Sequence, residues 1–380
     1  MGWVVILRIR MLTVMLAVVG LLCCGVPVSA AELSISSLSA VVYEPESGLV
    51  LYEKAGDTPR PMASTTKLMT ALLAAECLNP DEVVSVPAGA LPVEGTQIGL
   101  AAGESITVRD LLAGLLLASG NDAANVLALL MAEDTPSFAT LMNHRAEQLG
   151  MTHSTFVTPS GLDAGKHSAS ARDMTLLGAA VLEHPLLAEL CGAKTATITM
   201  GDRQLTLTNH NKLLNLLEDC IGLKTGFTKK SGRCLVSAVR RNGITLVVAT
   251  LNGGDYWNDH IALYNYGFSR VKRVALTSEI PQNTAVCGGV SPQVDLSVDL
   301  PESVVVQAGE TLHTRVELPH FAWAPVAVGD TLGTVTISTD SRILCTAPIT
   351  ATHNVDSCPI PSYWQLVRRR YSRLFESLLT

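Results

Sequence analysis

The sequence predicts an α/β (α+β) domain, with helices on both sides of an antiparallel sheet, followed by a small all-β domain and a C-terminal amphipathic helix. Three observations indicate this. Helical and strand patterns are mixed up to about residue 270, strand patterns alone follow, and the last segment has one apolar and one basic face. The 380 residues are 48% hydrophobic and 16% charged, so the chain can bury a large core, and its length favours two domains.

Residues 1–30 are predicted to be a secretory signal peptide. Arg8 and Arg10 precede the apolar run MLTVMLAVVGLLCCG, and VPVSA then ends at Ala30 with small residues where signal peptidase cleaves. The run is shorter than the ~20 apolar residues that a spanning helix needs. Loss of this segment removes two arginines and no acid, so the formal net charge changes from −7 to −9. An acidic chain of this kind argues against a nucleic-acid partner.

Residues 31–272 are predicted to form the first domain. The stretch AVVYEPESGLVLYEK predicts two strands around a Glu-Ser-Gly turn, and long helical patterns begin at 64, 107 and 171. CIGLKTGF and GRCLVSAVRRNGITLVVATLNG predict further strands, with Arg-Asn-Gly as a turn. Since the helices lie between two groups of strands, the economical arrangement places early and late strands in one antiparallel sheet.

Residues 273–355 are predicted to form the small β-rich domain, because VDLSVDL, LHTRVEL and LGTVTIST alternate apolar and polar residues between Pro and Gly. Residues 356–380 are predicted to be a linker and an amphipathic, membrane-associating helix. Its apolar face would comprise Trp364, Val367, Tyr371, Leu374, Phe375 and Leu378. Its basic face would comprise Arg368, Arg369, Arg370 and Arg373. An amphipathic helix packed on the β-domain is the alternative.

Seven of the nine cysteines lie beyond the predicted signal peptide, so at least one has no partner within the chain. Cys220 and Cys234 flank the strand CIGLKTGF. A simple hairpin is expected to set Cys234 opposite about Lys224, roughly 13 Å along the strand from Cys220, so no bridge between them is expected.

Ser64 and Lys67 in PMASTTKLMT form an S-x-x-K motif at the start of an otherwise apolar helical pattern. Residues at i and i+3 share a helix face, so the ammonium can reach the hydroxyl. Lysine can take the serine proton only if burial and nearby positive charge lower its pKa. The motif alone is weak, since a surface lysine at this spacing is common.

Two further motifs follow. Ser119-Gly120-Asn121 interrupts an apolar stretch, although an ordinary helix corner would use the same residue types. Lys224, Thr225 and Gly226 lie in a predicted strand, where lysine offers a partner for a carboxylate and glycine allows a close approach. An exposed edge-strand lysine is the alternative explanation of that triplet.

The ordered set S-x-x-K, S-G-N and K-T-G resembles the low-molecular-weight D-alanyl-D-alanine carboxypeptidases of the penicillin-binding and serine β-lactamase superfamily. LYEKAGDTPRPMASTTKLMTALL and FVTPSGLDAGKHSASARDMTLLGAAVL are similar to the same family. The resemblance is strong over about residues 33–270 and extends further by architecture only. It implies a β-lactamase/transpeptidase-like fold and a serine enzyme that removes the terminal D-alanine of peptidoglycan stem pentapeptides and binds β-lactams.

The resemblance also implies catalytic roles for residues of the first two motifs. Ser64 would be the nucleophile that forms an acyl-enzyme, and Lys67 the base that activates it. Ser119 would relay the proton to the leaving D-alanine, and Asn121 would hold the peptide and Lys67.

Substrate-binding roles follow from the third motif. Lys224 and Thr225 would anchor the terminal carboxylate, and Gly226 would leave room for the extended peptide. The backbone N–H groups of Ser64 and Phe227 would form the oxyanion hole. Phe227 occupies a position that varies among members, and His210 stands where well-known members have an arginine.

Three other functions remain open. A class A β-lactamase would need a glutamate and an asparagine between the second and third motifs, and no E-x-x-L-N is found there. A non-catalytic β-lactam sensor could keep the fold, although intact motif residues argue against lost catalysis. A DD-endopeptidase acting on D-alanyl cross-links would use the same groups.

No cofactor is expected, because no His, Cys, Asp or Glu cluster has metal-ligand spacing. The expected partners are a stem peptide ending in D-Ala-D-Ala, β-lactam antibiotics and, through residues 360–380, an anionic membrane surface. The expected location is the outer face of the bacterial cytoplasmic membrane or the cell wall.

Overall fold

A computed structural model describes residues 33–276 and 280–359 and, in the C-terminal tail, residues 365, 367, 368 and 370–372. The predicted signal peptide lies outside the described residues. The described tail residues are helical, and Arg368, Arg370 and Tyr371 among them are exposed. The other residues of the predicted amphipathic faces, apart from the half-buried Val367, lie outside the described residues.

Among the described residues, the first domain has nine strands and eight α-helices. The strands are β1 Ser39–Glu44, β2 Leu49–Lys54, β3 Val83–Ser85, β4 Ser105–Thr107, β5 Thr195–Met200, β6 Arg203–Thr208, β7 Cys220–Thr228, β8 Gly232–Arg241 and β9 Ile244–Gly253. The α-helices are α1 Lys67–Cys77, α2 Val108–Leu116, α3 Asn121–Met131, α4 Thr135–Gln148, α5 Ala171–Glu183, α6 Pro185–Gly192, α7 Leu213–Leu216 and α8 Tyr256–Phe268. Short 3₁₀ turns span Ala63–Thr66 and Ala88–Ala90.

Early and late strands share one antiparallel sheet, as the sequence predicts. Its order is β2-β1-β9-β8-β7, and β1 meets β9 with Val41 opposite Ala249. β3 to β6 form a separate four-stranded sheet. Strand β7, which carries Lys224 and Thr225, lies at the edge of the main sheet and pairs with β8 on its inner side.

The main sheet is buried on both faces. Successive side chains along each strand point to opposite faces, so neighbouring residues enter two different cores. Val41 and Val236 belong to the core shared with helices α1 to α6. Their neighbours Val42 and Leu235 belong to the second core, which includes Leu263 of α8. The prediction of helices on both sides of an antiparallel sheet is therefore confirmed.

The second domain is all-β, as predicted. Its strands are β10 Val271–Ala275, β11 Asn283–Cys287, β12 Gln293–Val298, β13 Ser303–Gln307, β14 His313–Glu317, β15 Phe321–Trp323, β16 Thr331–Ser338 and β17 Ile343–Ala351. Six form one sheet in the order β14-β16-β17-β12-β11-β15, while β10 pairs with β13. β10 is the strand that directly follows α8, so the chain passes from helix to β-domain within a few residues.

The seven described cysteines are all free thiols. The expected register of the β7–β8 hairpin is wrong by two residues, because Cys234 lies opposite Gly226 rather than Lys224. A three-residue turn, 229–231, joins the strands and sets this register. Cys220 lies opposite Val239, so the two thiols remain far apart along the hairpin.

None of the helices in the described residues is, by itself, long and apolar enough to cross a bilayer. Helices α5 and α6 meet that test only as a pair, which is bent by 107°.

Candidate active site

Ser64 lies in the 3₁₀ turn that leads directly into α1. Thr65 closes this turn, since its N–H and its hydroxyl donate to the Met62 carbonyl at 3.3 and 2.6 Å. The turn and the first residue of α1 bring Lys67 Nζ to 3.0 Å from Ser64 Oγ. The i, i+3 spacing therefore does bring the amine to the hydroxyl, as the sequence predicts.

Lys67 is fully buried, at 0% exposure, and two carbonyl oxygens hold its amine. Nζ donates to Asn121 Oδ1 and to the Ser160 carbonyl, each at 2.7 Å. Burial lowers the pKa of Lys67 well below its ordinary value, and the charge of Lys224 lowers it further, while Asp122 acts in the opposite direction. The helix keeps a lysine here as a desolvated amine beside a serine hydroxyl.

Ser119 and Asn121 sit at the corner between α2 and α3. The corner is tight, since Ser119 has a backbone φ of +65°, a conformation that non-glycine residues rarely adopt and that clusters at functional sites. Thr107 caps helix α2 at the position where the sequence predicts the start of a helical pattern, because its Oγ1 accepts the Asp110 N–H at 3.1 Å. Asn121 Nδ2 donates to the Glu94 carbonyl at 2.6 Å, which leaves its Oδ1 facing Lys67.

Asp122, the next residue, fixes the segment 98–100, which forms part of one wall of the site, by hydrogen bonds. Its buried carboxylate accepts the backbone N–H groups of Ile98, Gly99 and Leu100 at 2.9 to 3.2 Å. Hydrogen bonds from backbone N–H groups to a carboxylate are among the stronger kinds in proteins. The segment before α2, which carries Thr96 at the cleft, is therefore tied to the helix that carries Asn121.

Strand β7 forms the opposite wall and packs against the Ser64 turn. A Cβ on Gly226 would lie 3.0 Å from the Ser64 and Thr65 nitrogens and from the Met62 carbonyl oxygen. Glycine is thus needed at position 226 so that the Ser64 turn can pack closely against β7. The sequence predicted instead that this glycine leaves room for the peptide. The contact brings the Ser64 nitrogen beside the residue that precedes Phe227.

Lys224 is almost fully buried, at 1% exposure, and its nitrogen donates to the Thr225 carbonyl at 3.3 Å. Burial lowers its pKa to about 8, and Cys191 acts against this shift. Its neighbours Thr225, Gly226 and Phe227 line the cleft directly, whereas Lys224 lies behind them. Enclosure lowers the pKa of His210, and the charge of Lys224 lowers it further.

The loop that supplies the Ser160 carbonyl was assigned no role from the sequence. Gly161 has φ +86°, and a Cβ there would lie 2.0 Å from the Ala63 carbonyl oxygen, so only glycine allows the loop to reach the Ser64 turn. His167 fixes the same loop: Nδ1 accepts the Val157 N–H at 2.9 Å, and Nε2 is 2.8 Å from Thr66 Oγ1. Burial lowers the pKa of His167 to about 4, so the ring is neutral.

These walls enclose a cleft of about 400 Å³ that all three motifs reach. The predicted site residues that line it are Ser64, Ser119, Thr225, Gly226 and Phe227. The other lining residues are Thr96, His210, Lys212, Arg233, Tyr256 and Trp257. Within the described part of the chain, none of the lining side chains is acidic. All eight predicted site residues are therefore brought together, with Lys67, Asn121 and Lys224 behind the cleft surface.

The arrangement can perform serine acyl transfer. The hydroxyl groups of Ser64 and Ser119 line the cleft, and the amine of Lys67, the amide of Asn121 and the ammonium of Lys224 lie directly behind its surface. No group of three or more His, Cys, Asp or Glu side chains in the described residues is placed to hold a metal ion.

Comparison with known proteins gives a family match for each of the two domains. Residues 26–254 match the D-alanyl-D-alanine carboxypeptidase family, and residues 272–357 match the C-terminal domain of penicillin-binding protein 5. The D-alanyl-D-alanine carboxypeptidase DacF of Bacillus subtilis is 28% identical over 335 residues, which are 84% of this chain and 86% of DacF. A D-alanyl-D-alanine endopeptidase of Pseudomonas aeruginosa is 36% identical over 222 residues, or 56% of this chain and 71% of that protein.

The fold comparison agrees. Penicillin-binding protein 5 of Haemophilus influenzae superposes with a TM-score of 0.68 at 25% identity, covering 85% of this chain and 98% of that one. The family match spans more than half of the chain, and the structural likeness includes the β-domain. The chain therefore belongs to the D-alanyl-D-alanine carboxypeptidase family, as a serine-type, penicillin-binding hydrolase of the cell wall.

Proposed function

We propose that Ser64 opens the terminal D-Ala-D-Ala bond of a peptidoglycan stem pentapeptide and forms an acyl-enzyme that water then hydrolyses. The observation that carries the proposal is the coordination of Lys67. A neutral amine has two N–H donors and one lone pair, and two carbonyl oxygens at 2.7 Å, from Asn121 and Ser160, take both donors. The lone pair is left for the Ser64 hydroxyl, 3.0 Å away.

The chemical step follows from this arrangement. Ser64 Oγ attacks the carbonyl carbon of the penultimate D-alanine while its proton moves to Lys67 Nζ. The amide C–N bond then breaks while Ser119 gives its proton to the leaving D-alanine nitrogen and takes the proton that Lys67 holds. Backbone N–H groups of Ser64 and Phe227 stabilise the oxyanion that forms between these events. Water finally cleaves the ester and restores the Ser64 hydroxyl.

The substrate is held as an extended strand along the free edge of β7. Its terminal carboxylate is placed near Thr225, under the positive charge of Lys224. Because Lys224 is buried and its pKa is about 8, its positive charge attracts the carboxylate from beneath the cleft surface, without an exposed side chain that reaches into the cleft. Thr225, which lines the cleft, supplies the direct hydroxyl contact.

Acylation by penicillin should last longer than acylation by peptide. D-alanine diffuses away and opens a path for water, whereas an opened β-lactam stays tethered beside the ester. No acidic side chain lines the described part of the cleft to activate a deacylating water. We therefore expect multiple turnovers of pentapeptide and a persistent penicilloyl-enzyme.

The test compares both substrates on the purified enzyme. We expect mass spectrometry to detect free D-alanine released repeatedly from pentapeptide, together with slow turnover of penicillin. Rapid penicillin hydrolysis without D-alanine release would indicate a β-lactamase, and stoichiometric acylation without peptide turnover would indicate a sensor. Cleavage of cross-linked dimers in preference to pentapeptide would favour the endopeptidase activity named for some relatives.

We also propose that the enzyme is exported and held at the outer face of the cytoplasmic membrane by residues 360–380. Support comes from the N-terminal sequence pattern and from the arginines and aromatic residues of the tail. Export predicts a mature protein that begins at Ala31, which N-terminal sequencing would detect. Uncleaved protein in the cell would contradict it.

Vesicle sedimentation tests the tail. The enzyme should bind vesicles that contain anionic lipid, and deletion of residues 360–380 should release it. A variant with Arg368, Arg369, Arg370 and Arg373 replaced by glutamine separates charge from the apolar face, and it should lose the preference for anionic lipid. Equal binding with and without the tail would favour a helix packed on the β-domain.

A further inference from the structure

The side chains at one end of the cleft have no role in the mechanism above. Gly226 packs against the Ser64 turn, while Thr225 and Lys224 precede it on β7 and Phe227 follows it. If the terminal carboxylate lies at the Lys224 end, as proposed above, the acyl half of the peptide must extend past Ser64 toward Phe227. The inference below rests on that proposed orientation.

Three elements build the Phe227 end. Phe227 lies opposite Arg233 in the β7–β8 pairing, so both side chains stand on the same face. Arg233 in turn lies opposite Gly253, the last residue of β9. Helix α8 begins three residues later, and its first two residues, Tyr256 and Trp257, line the cleft with ring centroids 4.3 Å apart.

The guanidinium of Arg233 has no hydrogen bond or ion pair among the described residues. The other two arginines of β8 are occupied, Arg240 by Thr245 and Arg241 by Asp219. The charge of Arg233 opposes the rise that burial causes in the pKa of Tyr256, so guanidinium and phenol are within electrostatic reach. Arg233 is thus an unpaired cation in a cleft whose described lining contains no acid.

We propose that Arg233 binds a second substrate carboxylate, carried by the side chain of the residue that precedes the D-alanyl-D-alanine pair. A guanidinium presents a planar pair of donors that fits a carboxylate, and the neighbouring rings of Phe227, Tyr256 and Trp257 exclude part of the water that would weaken the contact. The enzyme therefore prefers stem peptides with a free side-chain carboxylate at that position over those with an amide.

Two synthetic peptides test this preference. Both end in D-Ala-D-Ala, and the preceding residue is N-acetyl-2-aminopimelic acid in one and its side-chain carboxamide in the other. We expect a kcat/KM for D-alanine release about three- to ten-fold higher for the carboxylate, between an exposed ion pair and a charge-assisted hydrogen bond. Arg233→Gln should bring the ratio to about one and leave the carboxamide peptide within about two-fold of wild type.

Arg240→Gln is the matched control, since it removes an exposed arginine of the same strand and should keep the full ratio. Because Arg233 is exposed, its replacement should also leave penicillin acylation and the unfolding temperature unchanged. Equal kcat/KM for the two peptides in wild type, or a preference that survives Arg233→Gln, would overturn the subsite alone. Absence of D-alanine release from both peptides would overturn the proposed function and the subsite with it.

Discussion

Replacement of Lys67 tests whether this residue is a base or only a buried cation. Lys67→Met removes the amine, whereas Lys67→Arg keeps a positive charge that cannot be titrated near neutral pH. General-base catalysis contributes about 10²–10⁴ in rate, which corresponds to roughly 2.7–5.4 kcal/mol at 1.36 kcal/mol per decade. Because Nζ lies 3.0 Å from Ser64 Oγ and two carbonyls accept its hydrogen bonds, we expect loss of the amine to cost the whole of that factor.

The assay is the second-order rate constant for acylation by a fluorescent penicillin. Both Lys67 variants should be slower by about 10²–10⁴, and Lys67→Arg should be no better than Lys67→Met. Lys272→Arg, at an exposed position of β10, controls for the chemistry of the exchange, and thermal unfolding verifies the fold. Acylation by Lys67→Arg within ten-fold of wild type would refute the base role, because a cation alone would then suffice.

Three further predictions concern the surroundings of Ser64. Because Asp122 raises the pKa of Lys67, Asp122→Asn should move the acidic limb of the acylation pH profile to lower pH, and a shift to higher pH would contradict this. The pKa of Lys224 is about 8, so KM for peptide should stay constant below that pH and rise above it as the charge is lost; a KM independent of pH up to 10 would argue against Lys224 as the carboxylate's charge partner. Gly226→Ala places a methyl 3.0 Å from the Ser64 turn and should slow acylation about 10–100-fold, whereas Gly89→Ala, 3.8 Å from Leu129, should not.

Much of the fold and of the site follows from sequence patterns, for physical reasons. The near-continuous apolar runs of β9 and of the first two turns of α1 each reflect burial on all sides, which local sequence encodes. The i, i+3 spacing of Ser64 and Lys67 is a local distance, so their contact was predictable. The other predicted residues could be assigned to the same site only through the family resemblance, because their separation along the chain does not indicate how close they lie in space.

Other features depend on tertiary structure and have no local signal. The Ser160 carbonyl reaches Lys67 because Gly161 lets a distant loop pack on the Ser64 turn. The same holds for Gly226, whose missing side chain makes room for that turn, and for the burial of Lys224 behind the cleft. The register of the β7–β8 hairpin was wrong because it depends on how many residues the turn takes, which strand patterns leave undetermined.

The central claim is that Ser64 is the acylated nucleophile, and the mass of the penicillin-treated protein tests it most directly. Wild type should gain the mass of one penicillin, and fragmentation should locate that mass on a peptide that contains Ser64. Ser64→Ala should gain no mass under the same conditions while unfolding at the temperature of wild type. Labelling that persists in Ser64→Ala, or that is located on a peptide without Ser64, would contradict the mechanism.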